Sequence, residues 1–297
     1  MTWIGLTLVS AVLLGLYDIF KKYSVRDNAV IPVLFLSVCF SSAIWIIPTL
    51  LSGFGHITSG PLHVDFPDAV SHWQLFGKSA LVGTSWILAY FALKHLPVSI
   101  VSPIRASGPL WTLIGAIFLL AERPTAIQSA GILITLVGFF TLSLVSLKDG
   151  IRFQRNPWIF AIIGATLLGA GSALYDRYLL GIQGLSVPTV QAWFSHYLVV
   201  FMSPFMMGWK WRIWQRGTFH WRTSIPLIAV ALIAADYAYF MAMSREEALV
   251  AIISSLRRTA VVIPFLAGFI LFKEKHFRAK VPSILLVLLG ISCILLG

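Results

Sequence analysis

Ser102–Pro124, SPIRASGPLWTLIGAIFLLAERP, decides the fold because the chain contains it twice. Displaced by 152 residues, Ser102, Arg105 and Glu122 fall on Ser254, Arg257 and Glu274 of 254–275, SSLRRTAVVIPFLAGFILFKEK. The same displacement carries Ile132, Leu133 and Gly138 onto Ile284, Leu285 and Gly290. Outward from there, Ala89-Tyr90-Phe91 matches Ala238-Tyr239-Phe240 at 149, Pro32 and Pro48 match Pro188 and Pro204 at 156, and Leu16-Tyr17-Asp18 matches Leu174-Tyr175-Asp176 at 158. Small drifts in displacement are what loop insertions produce. Ordered matches of Arg, Asp, Glu, Pro and Tyr indicate a duplication, with halves 1–150 and 151–297.

The medium follows from composition. Of 297 residues, 58% are hydrophobic and 11% charged, with a mean hydropathy of +0.88. Soluble domains carry about 25% charged residues, so this chain cannot cover a soluble surface and is expected in a membrane. Spans of about 20 apolar residues fall near 2–20, 29–51, 74–94, 98–120, 125–146, 157–179, 187–208, 224–244, 247–272 and 279–297. The first, beginning at Trp3, lacks a basic flank and a small-residue cleavage site and is expected to be retained. Short alternating strands are absent from the pattern, which argues against an outer-membrane barrel. The expected fold is an all-α bundle of ten transmembrane helices. Five spans per half is an odd number, so the halves enter the bilayer from opposite sides as inverted repeats. That architecture places a binding site at the midplane and moves by alternating access.

The net charge of +11 lies in short connections between apolar runs, which suits anionic lipid headgroups and not nucleic acid. One side of the membrane collects fifteen Lys and Arg, and the other receives four, Lys78, Arg123, Arg177 and Arg245. The basic side is expected to be cytoplasmic, with both termini outside, in the cytoplasmic (inner) membrane. Only Cys39 and Cys293 are present, both in apolar runs, so neither a disulfide framework nor a cysteine metal site is expected.

The duplication, the stretch Ala106–Pro124 with its Glu122-Arg123 pair, and its partner Leu266–Lys275 together resemble the drug/metabolite transporter superfamily, in particular its ten-helix EamA-type members. The resemblance implies a secondary transporter of small metabolites with a central cavity, no catalytic activity and no cofactor. It also implies cytoplasmic termini, opposite to the charge count.

Three cations lie inside spans. Arg105 is roughly 10 Å deep, and Arg257 and Arg258 roughly 15 Å, at about 1.5 Å per helical residue. A cation at that depth costs about 2.5–3.5 kcal/mol on insertion scales and should face a cavity or a partner. Helical spacing puts Ser102, Arg105, Pro109 and Thr112 on one face of the fourth span, and clusters Ser254, Arg257 and Arg258 on the ninth. Guanidiniums around a watery site suit a phosphate or carboxylate; alternatively they pair with buried carboxylates as structural elements. The arrangement also resembles the sugar-phosphate translocators of the same superfamily, which implies a phosphate-holding role for Arg105, Arg257 and Arg258. Tyr90 and Tyr239 could bond a substrate or simply pack. Asp236, mid-span in the eighth helix, is a candidate for proton coupling or a fixed ion pair. Asp18 and Asp176 are repeat mates near span ends, suited to gating or to pairing with a nearby cation. Gln191 and His196 are expected to make interhelical hydrogen bonds. The loop 53–73, with His56, His63, His72, Asp65 and Asp68, is expected to be external and solvated.

The favoured function is transport of a small organic anion, coupled to a proton or counter-substrate, by a monomer or homodimer in the lipid bilayer. Export of neutral amino acids or hydrophobic metabolites, and a lipid-phosphate flippase, are alternatives. No HExxH, GxSxG or P-loop occurs, which argues against a membrane enzyme and an ATP-driven pump.

Overall fold

The structure is a computed structural model that describes residues 2–96, 104–105, 107–144, 157–213, 217–261, 263 and 277–296. Its α-helices are α1 (Trp3–Val25), α2 (Val30–Gly53), α3 (Ala69–His95), α4 (Gly108–Leu120), α5 (Ala126–Leu144), α6 (Pro157–Arg177), α7 (Val187–Lys210), α8 (Ser224–Met243), α9 (Val250–Arg258) and α10 (Phe277–Leu296). No strand occurs among the described residues. Local chemistry sets the ends. Thr2 caps α1 by accepting from the Gly5 N–H at 3.2 Å, and Pro188 sits in the first turn of α7, where its missing donor costs nothing.

Among the described residues, five segments are long and apolar enough to cross a membrane: α1, α2, Ala69–Ala92 in α3, Pro157–Ile182, which continues α6 through a π-helical turn, and α8. Gly108–Leu120, Ala126–Gly138 and Leu285–Leu296 are shorter apolar helices. The expected spans 98–120 and 247–272 fall partly outside the described residues. Within them, α4 begins only at Gly108, and α9 tightens into a 3-10 turn at Thr259–Val261 directly after its arginines. Such a change of helix type mid-segment is a common hinge.

The chain divides into two compact units. Unit 1 is Met1–Gly83 with Tyr178–Arg245, and unit 2 is Thr84–Arg177 with Glu246–Gly297. Each draws helices from both sequence halves.

In unit 1, α1 packs on α8 and α2 on α7. One end is basic and tightly zipped. The Ala29 N–H donates to the Thr218 carbonyl, Asn28 spans to the His220 carbonyl and N–H, Ser24 meets Ser224, and Arg222 donates to the Tyr23 carbonyl. The other end carries the 53–68 loop, most of whose residues are exposed, as expected, although it is pinned at several points. Val64 is fully buried, the Asp65 carboxylate accepts from Ser186 at 2.7 Å and Thr189 at 2.9 Å, and Tyr237 donates to the Pro61 carbonyl. The Ser186 hydroxyl, chiefly, holds the Asp65 carboxyl below its usual range.

Lys78 corrects the charge count. Because α3 starts at Ala69, Lys78 is no loop cation but lies inside the helix, 2% exposed, its ammonium 4.5 Å from the Phe194 ring centroid and 4.8 Å from that of Phe240. Two ring faces replace water around the charge. The minority side then holds three cations, which strengthens the asymmetry without reversing it.

In unit 2, α5 packs on α10, and α4 packs on α6 and α9. The α5–α10 contact depends on glycine. A Cβ on Gly131 would lie 2.7 Å from the Gly290 carbonyl oxygen, and a Cβ on Gly138 would lie 3.0 Å from that of Ser283. Small residues let the two backbones approach this closely.

Candidate substrate and coupling sites

In unit 2, α9 buries Val250, Ala251, Ile252, Ile253 and Leu256 and leaves Ser254, Arg257 and Arg258 half-buried. Ser254 donates to Thr112 Oγ1 of α4 at 3.3 Å, and Thr112 passes its own proton to the Gly108 carbonyl at 3.2 Å. Arg258 reaches the start of α4, where a Cβ on Gly108 would stand 2.8 Å from its Nη2. Gly108 therefore admits the guanidinium to a place that any side chain would occupy. Arg105 is half-buried in the turn before α4, where Ser107 N–H and Oγ both donate to the Ile104 carbonyl. Pro109 and Thr112 lie within α4, which begins at Gly108, and Arg105 precedes it. Ser102 lies outside the described residues.

Glu122 closes the same end of the unit. Ala121 takes a left-handed φ of 53°, and this turns the Glu122 carboxylate onto the start of α9, where the Val250 N–H donates to Oε1 at 2.9 Å. Leu249, at the N-cap, has no polar side chain to do this. Glu122 Oε2 is buried and has no hydrogen-bond partner. Burial raises the carboxyl above its usual range, against the lowering effect of the Val250 and Ala251 N–H groups and of Arg177. Arg177, ending α6, donates to the Glu246 carbonyl at 2.7 Å.

In unit 1, Asp236 is 9% exposed and lines a small cavity with Ser41, Gln191 and Ser195, the rest of the wall being Val38, Phe194, Leu198, Leu232 and Ile233. Gln191 is 2% exposed, and its Oε1 has no hydrogen-bond partner. His196 does make the expected interhelical bonds. Thr49 donates to the Trp45 carbonyl at 2.7 Å and so accepts from His196 Nε2 at 3.2 Å, while Ser42 Oγ is hydrogen-bonded to Nδ1 at 2.7 Å.

The remaining sequence candidates are scattered. Asp18 is 3.8 Å from Lys21 on the α1 surface. Asp176 is buried in the last turn of α6. Tyr239 is buried against Phe240 in unit 1, and Tyr90 is half-buried in the unit 2 part of α3. Sequence reasoning missed the Lys78 cage and the Glu122 cap. For Lys78 the available signal was its place just inside the expected span 74–94, which reads as a span end until α3 is seen to begin at Ala69. The Glu122 cap had none, since its partner is a backbone N–H 128 residues away.

These helices define a multi-pass membrane protein. Residues 1–144 match the EamA-like transporter family. A crystal structure titled only "Crystal structure of protein" is similar over 99% of this chain and 98% of its own, with a TM-score of 0.76 at 15% identity, which shows the fold. No curated protein matches the sequence.

Proposed function

We propose that this transporter carries a small organic anion, phosphate- or carboxylate-bearing, across the cytoplasmic membrane by alternating access between two inverted five-helix repeats. The observation that carries the reading is the Arg258 guanidinium seated against Gly108, next to Arg257 and the Ser254–Thr112 bond. Fixed guanidiniums in a site shielded from water are the standard means of holding an oxyanion by paired N–H groups. Arg105, Arg257, Arg258, Ser102 and Ser254 are the proposed substrate contacts, with Tyr90 and Tyr239 as further hydrogen-bond donors. Asp236, Asp18 and Asp176 are proposed for coupling or gating.

The repeat reading draws support from the α5–α10 contact. At the displacement of 152, Gly131 becomes Ser283 and Gly138 becomes Gly290. The close pair Gly131–Gly290 thus maps onto the other close pair, Ser283–Gly138. Reciprocal contacts of this kind are the mark of a two-fold axis.

The test is a thermal-stability screen of the purified protein against inorganic phosphate, phosphate esters, carboxylates and neutral amino acids. A ligand that binds only the folded state adds about 2.7 kcal/mol at a hundredfold excess over its Kd. Stabilisation confined to anions and lost in Arg257→Ala supports the proposal. Stabilisation by neutral amino acids alone makes the arginines structural and leaves an exporter of neutral metabolites.

Both termini are proposed to lie outside, as the basic end of unit 1 supports. A cysteine placed at exposed Ser59, with Cys39 and Cys293 replaced, should react with an impermeant maleimide in intact cells. Labelling only after permeabilisation would reverse the orientation.

A further inference from the structure

The 53–68 loop of unit 1 holds an imidazole between two acceptors. His63 Nδ1 lies 2.8 Å from the Ile57 carbonyl oxygen, and Nε2 lies 3.1 Å from Asp65 Oδ1. A carbonyl only accepts, so the first contact needs a proton on Nδ1. A carboxylate only accepts, so the second needs a proton on Nε2. Asp65 is ionised here, because Ser186 and Thr189 donate to its Oδ2 and hold its carboxyl below the usual range. The two contacts are therefore made together only by an imidazolium. In either neutral tautomer one bare nitrogen would face an oxygen.

We propose that protonation of His63 closes a latch across the 57–63 arm of this loop, and that loss of the proton opens it. The groups that neighbouring elements bring to the loop are committed elsewhere. Ser52 of α2 accepts from the Val64 N–H at 3.0 Å, Trp193 of α7 donates to the Asp65 carbonyl at 3.0 Å, and Tyr237 of α8 donates to the Pro61 carbonyl. His72 of α3 is bonded to Tyr197 of α7, and His196 of α7 to Ser42 and Thr49 of α2. His56 and Asp68, in the same loop, are exposed. Among the described residues, Asp65 is thus the charge that pairs with His63. Buried Val64 and the Asp65 contacts with α7 anchor the far end of the arm at either protonation state, so the switch acts on the short exposed stretch between Ile57 and His63. Histidine is the side chain whose charge changes between about pH 5 and 8. Since the closed arm needs the charged ring, closure is favoured on the acid side and lost as pH rises through the titration of His63. Under the proposed orientation the loop faces outside, where the latch responds to external pH. It does not depend on the anion site of unit 2.

The experiment is hydrogen exchange of the purified full chain at about pH 5.5 and about pH 8, on either side of histidine titration, with protection taken relative to the intrinsic rate at each pH. Both conditions lie above the lowered range of the Asp65 carboxyl, which stays charged. The reporters are the Ile57 N–H, which donates to the Leu51 carbonyl at 3.2 Å, and the His63 N–H, which donates to the Gly60 carbonyl at 3.2 Å. Protection of both should fall about threefold from the lower pH to the higher, as the loss of a partly exposed ion pair implies. His63→Gln, which cannot take up a proton, and His63→Lys, which stays charged, should each show equal protection at the two pH values. His56→Gln, at the exposed histidine of the same loop, should keep the wild-type fall. Equal protection at both pH values in the wild type overturns the proposal. So does a fall that persists in His63→Gln or His63→Lys, or one that disappears in His56→Gln. No substrate is present, so failure of the organic-anion reading leaves this result intact.

Discussion

The α5–α10 pair of unit 2 and the α2–α7 pair of unit 1 join corresponding helices of the proposed repeat, yet they are built from opposite materials. The first is sealed by Gly131, Gly138 and Gly290, with backbone against backbone. The second is laced with hydroxyls, an imidazole and a carboxamide, and it borders the Asp236 cavity. Polar groups in a bilayer interior are tolerated where they find partners or serve a function. A seam of glycines has one way to pack, whereas a seam of acceptors facing a cavity can be occupied or empty. Unit 2 thus has a seam closed by backbone contact, and unit 1 has one with a small polar cavity beside it.

That contrast breaks first at the glycines. A Cβ on Gly290 would stand 2.6 Å from the Thr135 amide nitrogen and 2.7 Å from the Gly131 carbonyl oxygen. Backbone cannot swing aside, so Gly290→Val should cost about 1–3 kcal/mol or more, read as a fall in melting temperature in detergent. An unchanged melting temperature would show that the seam is not tightly packed. Gly108→Val meets only the far end of the Arg258 side chain, which can move. It should leave the fold intact and remove anion binding, as judged by loss of ligand-induced stabilisation.

Glu122 sharpens the comparison from a helix end. Glu122→Ala removes the only side-chain cap described for α9 and should cost about 0.5–2 kcal/mol. Glu122→Gln keeps an acceptor for the Val250 N–H and should cost less. Since burial raises the carboxyl of Glu122 above its unfolded value, its contribution is present at acid pH and is lost as pH rises through the raised value. Glu122→Gln should therefore narrow the gap in stability between acid and neutral pH, as measured by thermal melts across that range.

Asp65 has the opposite sign and the smallest expected effect. Its carboxyl is held below the ordinary value, so its hold on the 53–68 loop persists above that value and is lost as pH falls through the lowered one. The protection factor of the Asp65 N–H against hydrogen exchange, relative to the intrinsic rate at each pH, should fall under acid in the wild type and be lower at all pH values in Asp65→Asn, since this N–H donates to Thr189 Oγ1 at 2.8 Å.

Much of this was legible in the sequence because apolar length and charged residues at fixed spacing are one-dimensional signals. The apolar helices and the resemblance to the EamA-type transporters follow from such signals, whereas the contacts of Ser254 with Thr112 and of Arg258 with Gly108 are visible only in the structure. What escaped depends on tertiary backbone. Lys78 reads as a loop cation until α3 is seen to begin at Ala69, and Gln191 reads as an ordinary interhelical bond until its oxygen is found without a partner. The close approach at Gly131 and Gly290 was visible only as the repeated glycine Gly138 and Gly290, whose reason is a carbonyl on another helix.

The most direct test of the central claim is counterflow in proteoliposomes. Vesicles loaded with an unlabelled phosphate monoester should accumulate the labelled ester from outside, saturably, with wild-type protein but not with Arg257→Ala or Gly108→Val. Equal counterflow by wild type and Arg257→Ala, or counterflow of neutral amino acids with none of the ester, would contradict the account.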